Sequence, residues 1–423
     1  MKEFLLLLLI PIISFAQNLT PFDVTINGSL SQQNLFFKLS NGAQSAQKPV
    51  YILDENGNVL FSENYGQNGF DWKVNLNNCI TYFDKSINGW CVVDSLYNIV
   101  DTVFAQNGYI ADNHDFLALE NGNYVIIIYD MQPFPMNKIV DGGDPNATVE
   151  GFVIQELNSN QDVIFEWKSW DHFNVTDNTI WDLTSSFIPF IHGNAISIDY
   201  DDNFVISCRN LDEITKIDRI SGDVIWRFGG SQNQFEFIND YPFSGQHAIK
   251  CLGNNKYLIF DNGLRSSQYT DLGMGNISRA VEYILNTENM TAEKIWQFIH
   301  PDSLFCRTVS NVQRLENGNT LITFGNNIQN DRGAVVVEVD INNEIVFELE
   351  VNNLIDFGTN IYRASKADWF FDESIIGCSN VNACNFNFNI INNEMNCVFP
   401  NDTCQFYIDD ELFYGSINEN CEC

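Results

Sequence analysis

Short apolar segments joined by tight turns recur along this chain, and they set its architecture. One recurring unit runs apolar segment, turn, apolar segment. It occurs at Val50–Phe61, Trp90–Val100, Phe152–Trp167, Ile214–Trp226, Val281–Trp296 and Val335–Phe347. Asn-Gly and Ser-Gly turns supply the positive φ that a hairpin needs, so each copy predicts a β-hairpin. A second unit lies between these copies, near Asp71, His114, Asn194, His247, Ser310 and Arg363. Its first five copies run through a turn into an apolar strand. The last, Ile361 to Phe371, is a single strand with no hairpin after it. The two units alternate six times, beginning with a hairpin and ending with an inner strand. A six-bladed β-propeller accounts for this count, because the last inner strand completes the blade begun by the first hairpin. Closure of that kind leaves only short, protected sheet edges. A β-sandwich would not demand six equal units. Residues 18–45 read as a lead-in strand; a further weak copy there would make seven or eight blades.

One position of the second unit breaks the apolar rule. His114 stands nine residues before Asn123, Asn194 nine before Asn203, His247 nine before Lys256 and Ser310 nine before Asn319, with His192 two residues upstream of Asn194. The innermost strand of a blade lines the central channel. This register therefore predicts that His114, His192, Asn194, His247 and Ser310 meet at one mouth of the channel. Arg209 ends the apolar strand of the blade that carries His192 and Asn194. A guanidinium is a planar fork of donors suited to oxyanions, and imidazole serves as nucleophile, acid or base near neutral pH. Arg279 and Arg307 suit blade-surface ion pairs as well as oxyanion contacts. Long segments at Met131–Glu150 and Ser169–Ile191 are candidate functional loops. His172 in the second is either a plain loop histidine or a substrate contact. His300 falls outside the register and reads as structural.

Charge and composition narrow the partners. The 423 residues carry a net charge of -34, which excludes nucleic acid and anionic membrane surfaces as partners. An anionic substrate would need local positive charge. No Gly-rich phosphate loop is present, so no nucleotide cofactor is expected. Three histidines could hold zinc, but no Asp or Glu shares their register, and no metal is expected. Residues 1–16 read as a signal peptide, with Lys2, an apolar run from Phe4 to Ile13 and a Ser14-Phe-Ala16 cleavage site. No later stretch is long and apolar enough to span a membrane. The expectation is export to the periplasm, the cell surface or the medium. The propeller is expected over 17–375 and a small disulfide-stapled module over 376–423, where six of the eleven cysteines lie. Of Cys79, Cys91, Cys208, Cys251 and Cys306, most read as buried small hydrophobes, with a Cys79–Cys91 bridge as the alternative for that pair.

Several stretches together resemble the bacterial arylsulfotransferases, the aryl-sulfate sulfotransferases that work without PAPS. They are Asn113-His-Asp-Phe116, His192-Gly-Asn194, Ile206-Ser-Cys-Arg209, Lys216 through Gly230, Gly245-Gln-His247, Phe260-Asp-Asn-Gly263 and Ser278 through Tyr283. Their order and spacing carry the resemblance over most of residues 45–370. It implies a six-bladed propeller with its site at the channel, and a ping-pong reaction in which a histidine is transiently sulfated. On that resemblance His247 matches the nucleophile. His114, His192, Asn194 and Arg209 match residues that hold the sulfuryl oxygens or move protons. Ser310 or Thr308 matches a hydroxyl residue of a later blade. The implied partners are small-molecule aryl sulfates and phenols, with a homodimer also compatible. The tail resembles small repeats appended to secreted proteins of the Bacteroidetes type. Its Asn392-Asn-Glu-Met-Asn396 turn is less acidic than calcium-binding turns, which favours a spacer or surface-attachment role. The competing readings are a non-catalytic ligand- or carbohydrate-binding propeller and a metal-dependent hydrolase or lyase.

Overall fold

Strands in this chain bury both faces, which is the requirement of a sheet packed between two others. In Asn34–Ser40, Leu35 and Phe37 point into one core while Phe36 points into the next, and all three are fully buried. A computed structural model describes residues 21–40, 49–269, 275–327, 333–351 and 359–369, and the backbone of 403–408 and 411–416. It is all-β, with short 3-10 turns as the only helical elements among the described residues.

Six sheets of four or five strands form the blades. From inner to outer strand, the first blade is Asn360–Ala367, Asn34–Ser40, Pro49–Leu53 and Val59–Asn64. The innermost strands of the second to sixth are Phe70–Val74, Phe116–Ala118, Gly193–Ile198, His247–Gly253 and Asn311–Arg314. Six apolar clusters fill the six interfaces between neighbouring blades, so the ring is closed by packing as well as by hydrogen bonds. Phe83, Trp90 and Val92 meet Phe116, Ile126 and Val153 between the second and third blades. Leu321, Val336 and Phe347 meet Leu35, Phe37 and Ile361 between the sixth and the first.

The six hairpins and the closing inner strand stand where the pattern puts them. The N-terminal segment does more than lead in. Asn34–Ser40 is the second strand of the first blade and pairs along most of its length with Asn360–Ala367. Phe22–Ile26 adds a fifth, outer strand to the sixth blade, antiparallel to Ile345–Val351. Two short strands, Phe187–Ile188 and Glu236–Ile238, add in parallel to the third and fifth blades.

Cys79, Cys91, Cys208, Cys251 and Cys306 are free thiols, so the alternative of a Cys79–Cys91 bridge is not realised. Of the C-terminal segment, the backbone of Thr403–Ile408 and Glu411–Ser416 forms an antiparallel hairpin. The expected disulfide staple and the signal peptide lie outside the described residues. Among those residues, no helix is long and apolar enough to cross a membrane.

Phe37 is wholly buried in the core that joins the last blade to the first. Phe37→Ala is expected to cost about 3–5 kcal/mol in denaturant unfolding. Ile220→Ala, at a position 95% exposed, should change stability by less than about 0.5 kcal/mol.

Candidate active site at the channel mouth

Irregular backbone at the start of the inner strands turns polar side chains toward the channel. Positive φ occurs at Asp71 (56°), His192 (48°), Ala248 (54°), Val309 (57°) and Ser310 (92°). The strand registers shift between Phe70 and Lys73, between Gly193 and Ala195, and between His247 and Ile249. These are β-bulges, which re-aim side chains at sheet rims. Val309 is the most telling, since a β-branched residue at positive φ is a genuine outlier. Gly193 has no room for a side chain, because a Cβ there would lie 2.3 Å from the Phe152 ring.

Asn262 fixes the protonation of His247. The Asn262 amide Nδ2 donates to the carbonyls of Cys306 (2.8 Å) and Val309 (3.2 Å), which turns its Oδ1 toward His247 Nδ1 at 2.7 Å. The network assigns the proton to Nδ1 and leaves the lone pair on Nε2. Among the described residues that lone pair meets only the backbone N–H of Val309, at 3.2 Å. Burial pushes the His247 imidazolium well down, and the Arg209 charge adds to it, against the Asn262 hydrogen bond. The ring is therefore a neutral base with a directed lone pair.

Arg209 supplies the positive charge. It opens the 3-10 turn Arg209–Leu211 directly after the second strand of the fourth blade. Its backbone N–H donates to the His192 carbonyl at 3.1 Å. Its guanidinium donates to Asn210 Oδ1 (3.1 Å) and to the Arg307 carbonyl (3.2 Å), while Nε is buried without a partner. Among the described residues no carboxylate pairs with it, and its field depresses both His192 and His247. An uncompensated guanidinium beside a neutral imidazole is an anion receptor.

His114 and His192 stand edge to face with ring centres 4.9 Å apart, and Tyr129 lies 5.5 and 5.4 Å from them. His114 Nδ1 bonds Asp112 Oδ1 at 2.6 Å. Burial alone would raise the Asp112 carboxyl, but His114 more than offsets this and holds it below its usual range. The Tyr129 hydroxyl contacts His114 Nδ1 (3.1 Å) and donates to the Gly193 carbonyl (3.1 Å). Tyr362, from the last strand, donates to the His114 carbonyl at 2.7 Å. Burial pushes His192 down, opposed by Glu150, whose carboxylate lies 3.8 Å from Nδ1. Burial also raises both tyrosines well above the ordinary phenol value, so both stay neutral donors.

The other candidates divide. Asn194 is fully buried; its Nδ2 donates to the Gln246 carbonyl at 2.8 Å and its Oδ1 has no partner. Ser310 is buried and accepts from the Gly325 N–H at 3.1 Å. Thr308 accepts from Asn326 Nδ2 at 3.2 Å and precedes the residue that touches His247. His172 stacks on Trp167 (4.9 Å, 9°) on the third blade and makes no contact with the three-histidine group. His300 is buried away from that group. Arg279 is wholly buried between Asp240 and Asp261, a structural pairing, and Arg307 meets Arg209 through its carbonyl, while its charge also acts on that guanidinium. Among the described residues, no three His, Cys, Asp or Glu side chains are placed to hold a metal. Sequence reasoning missed Asn262, Tyr129, Tyr362, Asp112 and Glu150. Asn262 had a usable signal, since it directly follows the second strand of its blade as Arg209 does in the preceding one.

The closed propeller thus carries a neutral, lone-pair-directed histidine beside an arginine that no carboxylate pairs among the described residues. The model of the arylsulfotransferase (ASST) family matches residues 25–363, and the chain belongs to that family. No curated protein matches the chain. Solved structures with similarity include a protein of unknown function from Bacteroides caccae, 13% identical, covering 79% of this chain and 99% of that one with a TM-score of 0.47. Apo AztD from Citrobacter koseri is 10% identical, covering 79% and 98%, TM-score 0.40. A streptogramin B lyase is 9% identical, covering 77% and 86%, TM-score 0.39. At these values the structural likenesses carry no functional argument.

Because His247 is held below the ordinary histidine value of 6.5, it should still be neutral at that pH. Nitrogen NMR of histidine-labelled protein should show it as the Nδ1–H tautomer there, protonating only on further acidification. The linkage sign follows: the unfolded chain binds the proton first, so the stability contributed by neutral His247 is full above pH 6.5 and is lost as pH falls below it. A normal imidazolium titration at that residue would overturn the assignment.

Proposed function

We propose that this protein is an exported aryl-sulfate sulfotransferase that moves a sulfuryl group from an aryl sulfate to a phenol through a sulfated His247. The observation that carries the reading is the Nε2 lone pair of His247, fixed by Asn262 and set beside the unpaired charge of Arg209. Family membership supports aryl-sulfate sulfotransfer in general. The Lys2-to-Ala16 leader supports export.

In the first half-reaction Nε2 attacks sulfur. The S–N bond forms as the S–O bond to the ring breaks, and Nδ1 keeps its proton on Asn262. The incoming sulfuryl group takes the place of the long Val309 N–H contact, so the strained Thr308–Ser310 segment must give way. Negative charge spreads over the equatorial oxygens in the transition state, where Arg209 and neutral NH donors stabilise it most. The departing phenolate takes a proton from His114, whose ring Asp112 orients through Nδ1. In the second half-reaction the acceptor phenol returns a proton to His114 and its oxygen attacks the sulfur. The S–N bond then breaks and neutral His247 is restored. A covalent intermediate removes the need for an activated nucleotide. His192 and Asn194 complete the wall around the sulfuryl oxygens.

Release of nitrophenol from p-nitrophenyl sulfate, with and without a phenol acceptor, tests this. Wild type should show acceptor-dependent release, and His247→Ala should lower kcat at least about a thousandfold. Release that survives the substitution would remove His247 from the nucleophile's role. No release across several aryl sulfates would favour a binding propeller.

A further inference from the structure

A pocket of about 540 Å³ opens on the mouth face between the fourth and fifth blades, beside the reactive pair. Leu211 and Asp212 close the turn that Arg209 opens, and Pro242 and Phe243 lead toward the strand that starts at His247. Phe243 precedes His247 by four residues, a reach of at most about 14 Å. The long segment Ser169–Ile191 contributes Thr179 and Ile180, and the fifth blade contributes Arg265, Gln268 and Tyr269. The wall is held in place. Asp212 accepts from the Gly245 N–H (2.6 Å) and from Arg265 Nε (2.7 Å), and the Arg265 backbone N–H donates to Ser244 Oγ at 2.9 Å. Gly230, also in the lining, sits at φ +67°, where a Cβ would lie 2.3 Å from the Leu211 carbonyl oxygen. A glycine there lets the outer strand of the fourth blade end against the Arg209 turn.

The charges of the lining, Asp212 and Arg265, pair with each other, so nothing in the pocket selects a charged ligand. What remains is a set of uncharged hydrogen-bonding groups beside an aromatic ring. The side chains of Gln268 and Thr179 are exposed and make no hydrogen bond among the described residues. Ser231 Oγ donates to the Asp177 carbonyl at 2.7 Å and keeps its lone pairs for an incoming donor. Tyr269 is 42% exposed and stacks on Tyr241, with ring centres 6.4 Å apart and planes 15° from parallel. The Arg279 guanidinium lies 4.1 Å from the Tyr241 ring and fixes it in turn. An aromatic plane beside an amide and hydroxyls suits a sugar: the plane packs against its C–H face, and the polar groups exchange hydrogen bonds with its hydroxyls. A second apolar ring would strip water from those groups without replacing their hydrogen bonds. We propose that this pocket binds a sugar ring carried by the reacting phenol, so that aryl glycosides with a free or sulfated phenolic hydroxyl are the preferred substrates. The inference rests on the sulfotransfer reading of His247. The sulfuryl group passes between His247 Nε2 and the phenolic oxygen, the phenolic proton is exchanged with His114, and the glycosidic bond is neither made nor broken.

Acceptor kinetics with p-nitrophenyl sulfate as donor test the pocket. The β-glucoside and β-galactoside of p-hydroxyphenol are compared with p-methoxyphenol, which keeps the para oxygen and lacks the sugar. Wild type should favour at least one glycoside over the ether by about tenfold or more in kcat/KM, carried by KM. Gln268→Ala and Tyr269→Ala alter exposed side chains, and each should cut that preference by about threefold or more. Equal kcat/KM for the ether and both glycosides, a preference untouched by both substitutions, or a stronger preference for p-phenylphenol would overturn the proposal. If no acceptor is sulfated, the sulfotransfer reading fails, and titration calorimetry with the same compounds decides the pocket by itself. A glycoside held about tenfold or more tighter than the ether by wild type, and not by Tyr269→Ala, upholds the sugar site. Equal affinities overturn it.

Discussion

Asp115 ties four of the six blades together at the channel, and the candidate active site rests on that knot. Its carboxylate accepts from Lys73 of the second blade (2.6 Å), Arg363 of the first (2.9 Å) and the Ile196 backbone N–H of the fourth (3.1 Å), while its own chain belongs to the third. Burial alone would raise this carboxyl, but Arg363 and Lys73 hold it far below its usual range. Removing one partner from such a buried pair leaves an uncompensated charge, worth about 3–5 kcal/mol. Asp115 is the residue after His114, and Arg363 is the residue after Tyr362, which bonds the His114 carbonyl. The same contacts that close the ring therefore set the position of the His114 imidazole. The closing strand Asn360–Ala367 supplies both Tyr362 and Arg363, so the pairing of the chain's two ends has a chemical as well as a mechanical consequence.

Electrostatically the protein is divided. The chain as a whole is strongly acidic, and exposed carboxylates are screened within about 10 Å at moderate salt. The channel is different: among the described residues Arg209 at the mouth and Lys250 below it lack carboxylate partners, and burial and Arg209 push the imidazolium forms of His192 and His247 down. Under the proposed function an anionic aryl sulfate is attracted only at short range, by donors already in place. That arrangement favours developing charge in a transition state over a freely solvated anion. Strain has a place in it too, since the backbone that caps the His247 lone pair carries two consecutive residues at positive φ, Val309 and Ser310.

Much of the architecture is legible in the sequence because apolar alternation and turn chemistry are local signals. The six hairpins and the unpaired last strand are read from them directly. The strand Asn34–Ser40 reads only as a lead-in because one of its two partners, Asn360–Ala367, lies at the other end of the chain and no turn joins the two. The polar register picks out His114 and His247, since a histidine on a channel strand breaks an apolar rule. It does not separate Ser310, whose hydroxyl bonds within its own blade. Tyr129 and Tyr362 pass as ordinary apolar strand residues until their hydroxyls are placed. Asn262 is marked in the sequence by its place after a second strand, but only the carbonyls of Cys306 and Val309 show which way its amide must face. Loop length marked the segment holding His172 but gave no direction, and that histidine rests on Trp167 instead.

The most direct test of the account is chemical trapping of the intermediate. Wild-type protein mixed with an aryl sulfate in the absence of acceptor, quenched in alkali and digested, should carry one added SO3 group on the peptide containing His247, lost again when a phenol is added before the quench. A stable modification on His114 or His192 instead, or turnover with no modified peptide at any time, would contradict it.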